Sequence, residues 1–148
     1  MKIKKIIFIS ILSLIFFTNC QEKSKSDISK IHWDRDMCAR CVMVVSDRKN
    51  TVQLKDPLTG KKYVFDDIGC TILWFKDENI TWRDKTVIWI TDIDTGEWIN
   101  AREAFYDTNN ITPMAYGFSA HKTKESIKEN EEIISFEEVS KRVIKIGK

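Results

Sequence analysis

The segment Met37-Cys38-Ala39-Arg40-Cys41-Val42-Met43 places two cysteines and two methionines within seven residues of a 148-residue chain that has four of each. Sulfur at this density admits several chemistries. Zinc closes a tetrahedron of nitrogen or sulfur ligands. This CxxC with Cys70 and a histidine reaches that number, but the chain has no second CxxC and no HxxxH. A thioredoxin-like redox pair sits between a strand and a helix N-terminus, which lowers the thiol pKa, whereas this CxxC precedes a predicted strand. A c-type haem needs a histidine directly after the second cysteine, and Val42 stands there. Cu(I) is soft and is selected by thiolate and thioether ligands. It tolerates low coordination, which suits a carrier that hands its metal on. A Cys38–Cys41 disulfide also stays open, since a disulfide and a metal site can be two redox states of one pair.

Two further groups bear on the same chemistry. Cys70 follows Asp66-Asp67-Ile68-Gly69. A small buried hydrophobe at a helix start accounts for it, and the helix N-terminus also favours a thiolate ligand. Asp66 and Asp67 have no matching histidine or serine with which to act as an acid/base pair. Thr112-Pro-Met-Ala-Tyr-Gly-Phe-Ser-Ala-His121 carries Met114 and one of the two histidines. Both read as packing unless the fold brings them to Cys38 and Cys41.

The compartment follows from the leader. Met1–Phe17 has three lysines ahead of an apolar run of about a dozen residues. That is the pattern of a secretory signal, short of the ~20 residues needed to span a bilayer. Cys20 ends the run and opens the polar stretch Gln21–Lys30, like a lipobox cysteine that is lipidated and becomes the mature N-terminus. The expected organisation is a signal peptide over 1–19, a lipidated cysteine and tether over 20–30, and one compact domain over 31–148. Residues 1–19 hold three lysines and no acid, so the formal charge of +2 becomes −1 without them. Such a balance attracts neither nucleic acid nor an anionic membrane surface. With Cys20 set aside, Cys38, Cys41 and Cys70 remain, an odd number that leaves at least one thiol free, paired between chains or bound to metal.

The elements that must position these residues are short. Met43–Asp47 is read as a strand. Thr51–Lys55 and Lys62–Phe65 form a hairpin across the Asp56-Pro-Leu-Thr-Gly60 turn. Asp66 or Asp67 caps a buried helix over Ile68–Phe75, and Thr86–Thr91 is β-forming through its branched and aromatic residues. After the Asp94-Thr-Gly96 turn, Glu97–Ile99, Phe105–Asp107 and Met114–Ser119 are read as strands, and Lys122–Asn130 as helical. Ser135 and Glu138 make a capping box for an amphipathic helix over Phe136–Lys145, with Phe136, Val139 and Val143 on one face. The expected fold is α+β: two small ββα(β)-type halves, about 37–92 and 97–145, with the amphipathic helix at the C-terminus.

The blocks MCARCVM, FDDIGC, DTGEWINAREAFY and TPMAYGFSA, in this order from about Met37 to Ala120, resemble the NosL family, copper-binding lipoproteins associated with nitrous oxide reductase assembly. The resemblance implies a non-enzymatic Cu(I) chaperone of denitrification, lipid-anchored in the cell envelope and facing the periplasm or exterior. It would deliver copper to the nitrous oxide reductase apo-enzyme with the help of an ABC-type maturation complex. By position, Cys38, Cys41 and Met43 match the family's Cys-x-x-Cys-x-Met metal motif, and Met114 matches the methionine of its Pro-Met-x-x-Gly block. His121 and Cys70 are further candidate ligands. Val42 departs from the motif, which commonly has glycine there. The alternative from a different class is an extracytoplasmic thiol–disulfide oxidoreductase using Cys38 and Cys41.

Overall fold

Two strands joined by a tight turn start the described part of the molecule's sheet. The computed structural model describes residues 27–147; the predicted signal segment, Cys20 and most of the predicted tether lie outside them. Strand β1 (Val52–Lys55) turns at Asp56, whose carboxylate accepts the Leu58 N–H at 2.7 Å and the Thr59 hydroxyl at 2.6 Å. Gly60 takes the left-handed conformation that the turn requires, and β2 (Lys62–Phe65) returns antiparallel. Helix α1 (Ile68–Asp77) follows at once, with Asp67 accepting the Gly69 N–H at 2.8 Å as its N-cap.

Strands β3 (Ile88–Thr91) and β4 (Trp98–Asn100) complete an antiparallel sheet in the order β2-β1-β3-β4. Its register puts Val52 opposite both Phe65 and Ile90, and Leu54 opposite both Tyr63 and Ile88. These side chains share one face, against which α1 lays Trp74. That ring lies 4.6 Å from Tyr63 and 5.3 Å from Phe65, centroid to centroid. Each large apolar side chain buried here contributes roughly 1.5–3 kcal/mol. On the other face Gln53 accepts the Ser29 N–H at 2.8 Å, so the segment before the cysteine loop is seated on the sheet.

The rest of the chain adds a two-stranded ladder, β5 (Phe105–Tyr106) with β6 (Ala120–His121), and helix α2 (Phe136–Ile146). Ser135 caps α2 through the Glu138 N–H, and Gly147 ends it in the left-handed conformation. Phe136, Val139 and Val143 are its buried residues. Helix α2 packs on α1 and β5, so one hydrophobic core runs through both halves. The fold is α+β with a C-terminal amphipathic helix, as the sequence predicts. Among the described residues no helix is long and apolar enough to cross a membrane.

Three local predictions are corrected. Residues 43–47 form no strand: Met37 and Val44 make one isolated bridge, and the rest is an irregular hairpin held by Asp34–Val45 and Val45–Asp36 backbone bonds. Residues 114–119 form no strand either, because Ala115 (φ 57°) and Gly117 (φ 83°) turn the backbone twice. Residues 122–130 hold only a 3₁₀ turn, Lys124–Ser126, since Ile127 is their one buried apolar anchor and a longer helix needs an apolar stripe.

Candidate metal centre

The sheet's outer strand decides where the cysteines go. On the edge of β2, the Val64 carbonyl accepts the Ala39 N–H at 2.8 Å. This fixes the cysteine loop against the sheet. The loop closes on itself: the Cys38 N–H donates to the Met43 carbonyl (2.8 Å) and the Val42 N–H to the Cys38 carbonyl (3.1 Å). Closure requires φ 62° at Val42, the position where glycine would suit the left-handed region. Arg40, between the cysteines, donates to Asp77 at the end of α1 (2.9 Å) and to the Tyr116 hydroxyl (3.4 Å). The β2–α1 junction, a few residues further on, supplies Asp66 and, in the first turn of α1, Cys70.

The result is a four-residue donor group. One ligand atom each from Cys38, Cys41, Asp66 and Cys70 lies within 4.8 Å of the others. All three cysteines are free thiols. Cys38 and Cys70 are buried and Cys41 is half-buried, so the group opens outward at Cys41. The Cys41 thiol donates to Asp66, 3.4 Å from Oδ2. A trigonal ion with metal–sulfur bonds of ~2.3 Å sets its sulfurs ~4 Å apart, so three sulfurs gathered this closely fit a soft cation. With Asp66 added they also meet the four-ligand count of zinc.

Hydrogen bonds divide the thiols electrostatically. Cys38 is held down to about 6: the Cys70 thiol donates to its sulfur, burial opposes, and the backbone N–H groups of Cys41, Asp66 and Arg40 add to the lowering. Burial pushes Cys41 up to about 11, with the negative charge of Cys38 and Asp66 adding to it. Cys70 is raised strongly, first because it donates to Cys38 and then by burial. Cys38 is thus the sulfur most readily deprotonated, and a metal binding all three sulfurs displaces the protons they still carry.

The other candidates divide. Met43 stays on the loop, its N–H turned to the Cys41 sulfur and its side chain half exposed. Met114 is partly buried, and its N–H donates to Asp67 Oδ2 at 3.2 Å, so its loop sits over the helix start that carries Cys70. Tyr116 of the same loop presses on Gly69, where an added Cβ would lie 2.2 Å from the ring. His121 is not brought to the cysteines. Its Nδ1 lies 2.8 Å from Asp94 and its Nε2 2.9 Å from Asp107. Burial pulls that imidazole down, but the two carboxylates outweigh it and raise it above its ordinary value. Asp66 is the donor that the sequence did not single out for metal. Its one signal was the place next to the helix cap, where an element junction points side chains inward.

No family model matches the sequence, and no curated protein matches it significantly. Among solved structures, the fold is similar to the crystal structure of the copper chaperone NosL from Shewanella denitrificans, with a TM-score of 0.62 and 15% sequence identity. The similarity covers 76% of this chain and 95% of that one. The chain has a NosL-like fold.

Proposed function

We propose that this protein is an extracytoplasmic, lipid-anchored Cu(I) chaperone. It binds copper as cargo, performs no turnover, and delivers the ion to a copper enzyme, with apo nitrous oxide reductase and its ABC-type maturation complex as the partners. The observation that carries this reading is the convergence of three thiols from two separate chain segments behind a surface loop. Thiolates of this kind select soft Cu(I) over harder ions. The fold shared with a copper chaperone supports the reading, as do the residue blocks and the Cys20 leader. Cys38, Cys41 and Cys70 are the core ligands in this proposal, with Met43 and Met114 as flanking thioethers for transfer.

Anaerobic Cu(I) titration against a competing chelator tests it. About one Cu(I) per chain should bind tightly. Cys38→Ser with Cys41→Ser should weaken binding by more than roughly 100-fold, since even outer partners of metal ligands are worth 10–100-fold. Tight binding retained in the double variant would sink the site assignment. The oxidoreductase alternative would use Cys38, whose thiol the Cys70 and backbone donors lower, although that sulfur is buried at 2% exposure where a redox nucleophile is partly exposed. Insulin-reduction activity without Cu(I) binding would decide for it.

A further inference from the structure

A second group of donors lies away from the cysteines and shares no residue with them. Asp92 and Asp94 stand on the turn between β3 and β4, which is pinned to β6 by the Ile93 N–H donating to the Ala120 carbonyl at 2.9 Å. His121 follows on β6. Ligand atoms of Asp92, Asp94 and His121 lie within 4.8 Å of one another. Asp92 and His121 are buried, at 2% and 4% exposure, whereas Asp94 is exposed and opens the group to solvent.

The arrangement resolves into ligands and their support. Asp107, itself buried, takes the Nε2 side of the imidazole at 2.9 Å. It is held in turn by the Ser119 N–H and the Asn110 side chain. A carboxylate on one ring nitrogen, fixing the tautomer and leaving the other nitrogen for an ion, is the usual outer arrangement of a metal-binding histidine. The Nδ1 side faces Asp94. Asp92 receives the Thr95 hydroxyl (2.6 Å) and the Lys122 backbone N–H (3.3 Å), both neutral donors. Three carboxylates therefore surround one imidazole, and the nearby Lys122 ammonium pairs with Glu97 instead. Buried carboxylates need positive charge beside them; the imidazole, raised against its burial by Asp107 and Asp94, supplies one such charge when protonated, and a divalent cation at the open end of the group supplies two. Oxygen and nitrogen ligands at ~2.0–2.1 Å from a tetrahedral ion lie ~3.3 Å apart, which Asp94 reaches by a small outward shift from its 2.8 Å contact.

We propose that Asp92, Asp94 and His121 form a second metal site that takes a divalent first-row cation through one imidazole nitrogen and two carboxylates. The ion takes the place of the hydrogen between Nδ1 and Asp94, which leaves as a proton. Imidazole and carboxylate select harder ions than thiolate does, so the two sites divide by ligand softness.

Mn(II) separates them, because it is hard and ignores the thiolates. Titrating the full chain with Mn(II) and following the free-ion electron paramagnetic resonance signal should show one ion bound, unchanged by Cys38→Ser with Cys41→Ser. Bound Mn(II) should broaden the His121 ring resonances. Asp94→Asn, on an exposed side chain that leaves the core intact, should weaken binding at least tenfold. Asp107→Asn should weaken it within the 10–100-fold range of outer-shell partners. Free-ion signal undiminished at millimolar Mn(II), or Asp94→Asn binding as tightly as wild type, overturns the proposal.

Discussion

At the scale of single residues, the chemistry of the cysteine cluster rests on which sulfur keeps its proton. Cys38 receives one thiol and three backbone donors, so its titration lies near 6 instead of 9.0. A group whose pKa is depressed by folding adds stability that is complete above its unfolded value, and that is lost as pH falls through the folded one. For Cys38 the window is from about 9 down to about 6. The thiolate ultraviolet absorbance, taken as the difference between wild type and Cys38→Ser, should therefore rise with a midpoint near pH 6; a midpoint above 8 would contradict the bonding described. The sequence showed the pair and its sulfur character plainly. It could not show that Cys70 would be the third donor, because that depends on Gly69 and the cap at Asp67 bringing the first turn of α1 under the loop. Nor could it show that His121 would be claimed by Asp94 and Asp107, contacts 27 and 14 residues away in the chain.

Among the elements, the junction of β2 with α1 organises the site. The hairpin, the cap and the helix were all readable, because each has a local cause: turn residues at Asp56–Gly60, a carboxylate before an apolar run, and alternation in the strands. The segments that misled, 43–47 and 114–119, have strand-like composition, but the first follows a left-handed Val42 and the second is turned at Ala115 as well as Gly117; a left-handed valine or alanine is announced by no residue type. The second of these loops is seated on α1 through Tyr116 and Gly69. Gly69→Ala should cost about 1–3 kcal/mol by overpacking, since the new methyl would fall 2.2 Å from the tyrosine ring. In a Tyr116→Ala background the same change should be neutral or slightly stabilising, because alanine is the better helix former. Chemical denaturation of the four proteins measures the coupling, and equal costs in both backgrounds would refute the contact.

For the whole molecule, the shared core predicts one cooperative unit. Phe65 in the first half and Val139 in the second are both fully buried in it. Phe65→Ala should cost about 3–5 kcal/mol and Val139→Ala about 2 kcal/mol. Each should move a single transition seen alike by tryptophan fluorescence and far-ultraviolet circular dichroism; two separate transitions would show that the halves melt independently. The amphipathic end helix and the α+β class were legible because they follow from periodicity. The sharing of β4 with the first half's sheet was not, since strand order depends on contacts far apart in sequence. The bond from Ala39 to Val64 has one more consequence. The outer strand of a sheet is a template for pairing with another chain unless something covers it, and here the cysteine loop is the cover. The segment that presents the thiols is thus also a guard against self-association. A chain whose loop is pulled away frees the Val64 carbonyl on the edge of β2 for the next molecule.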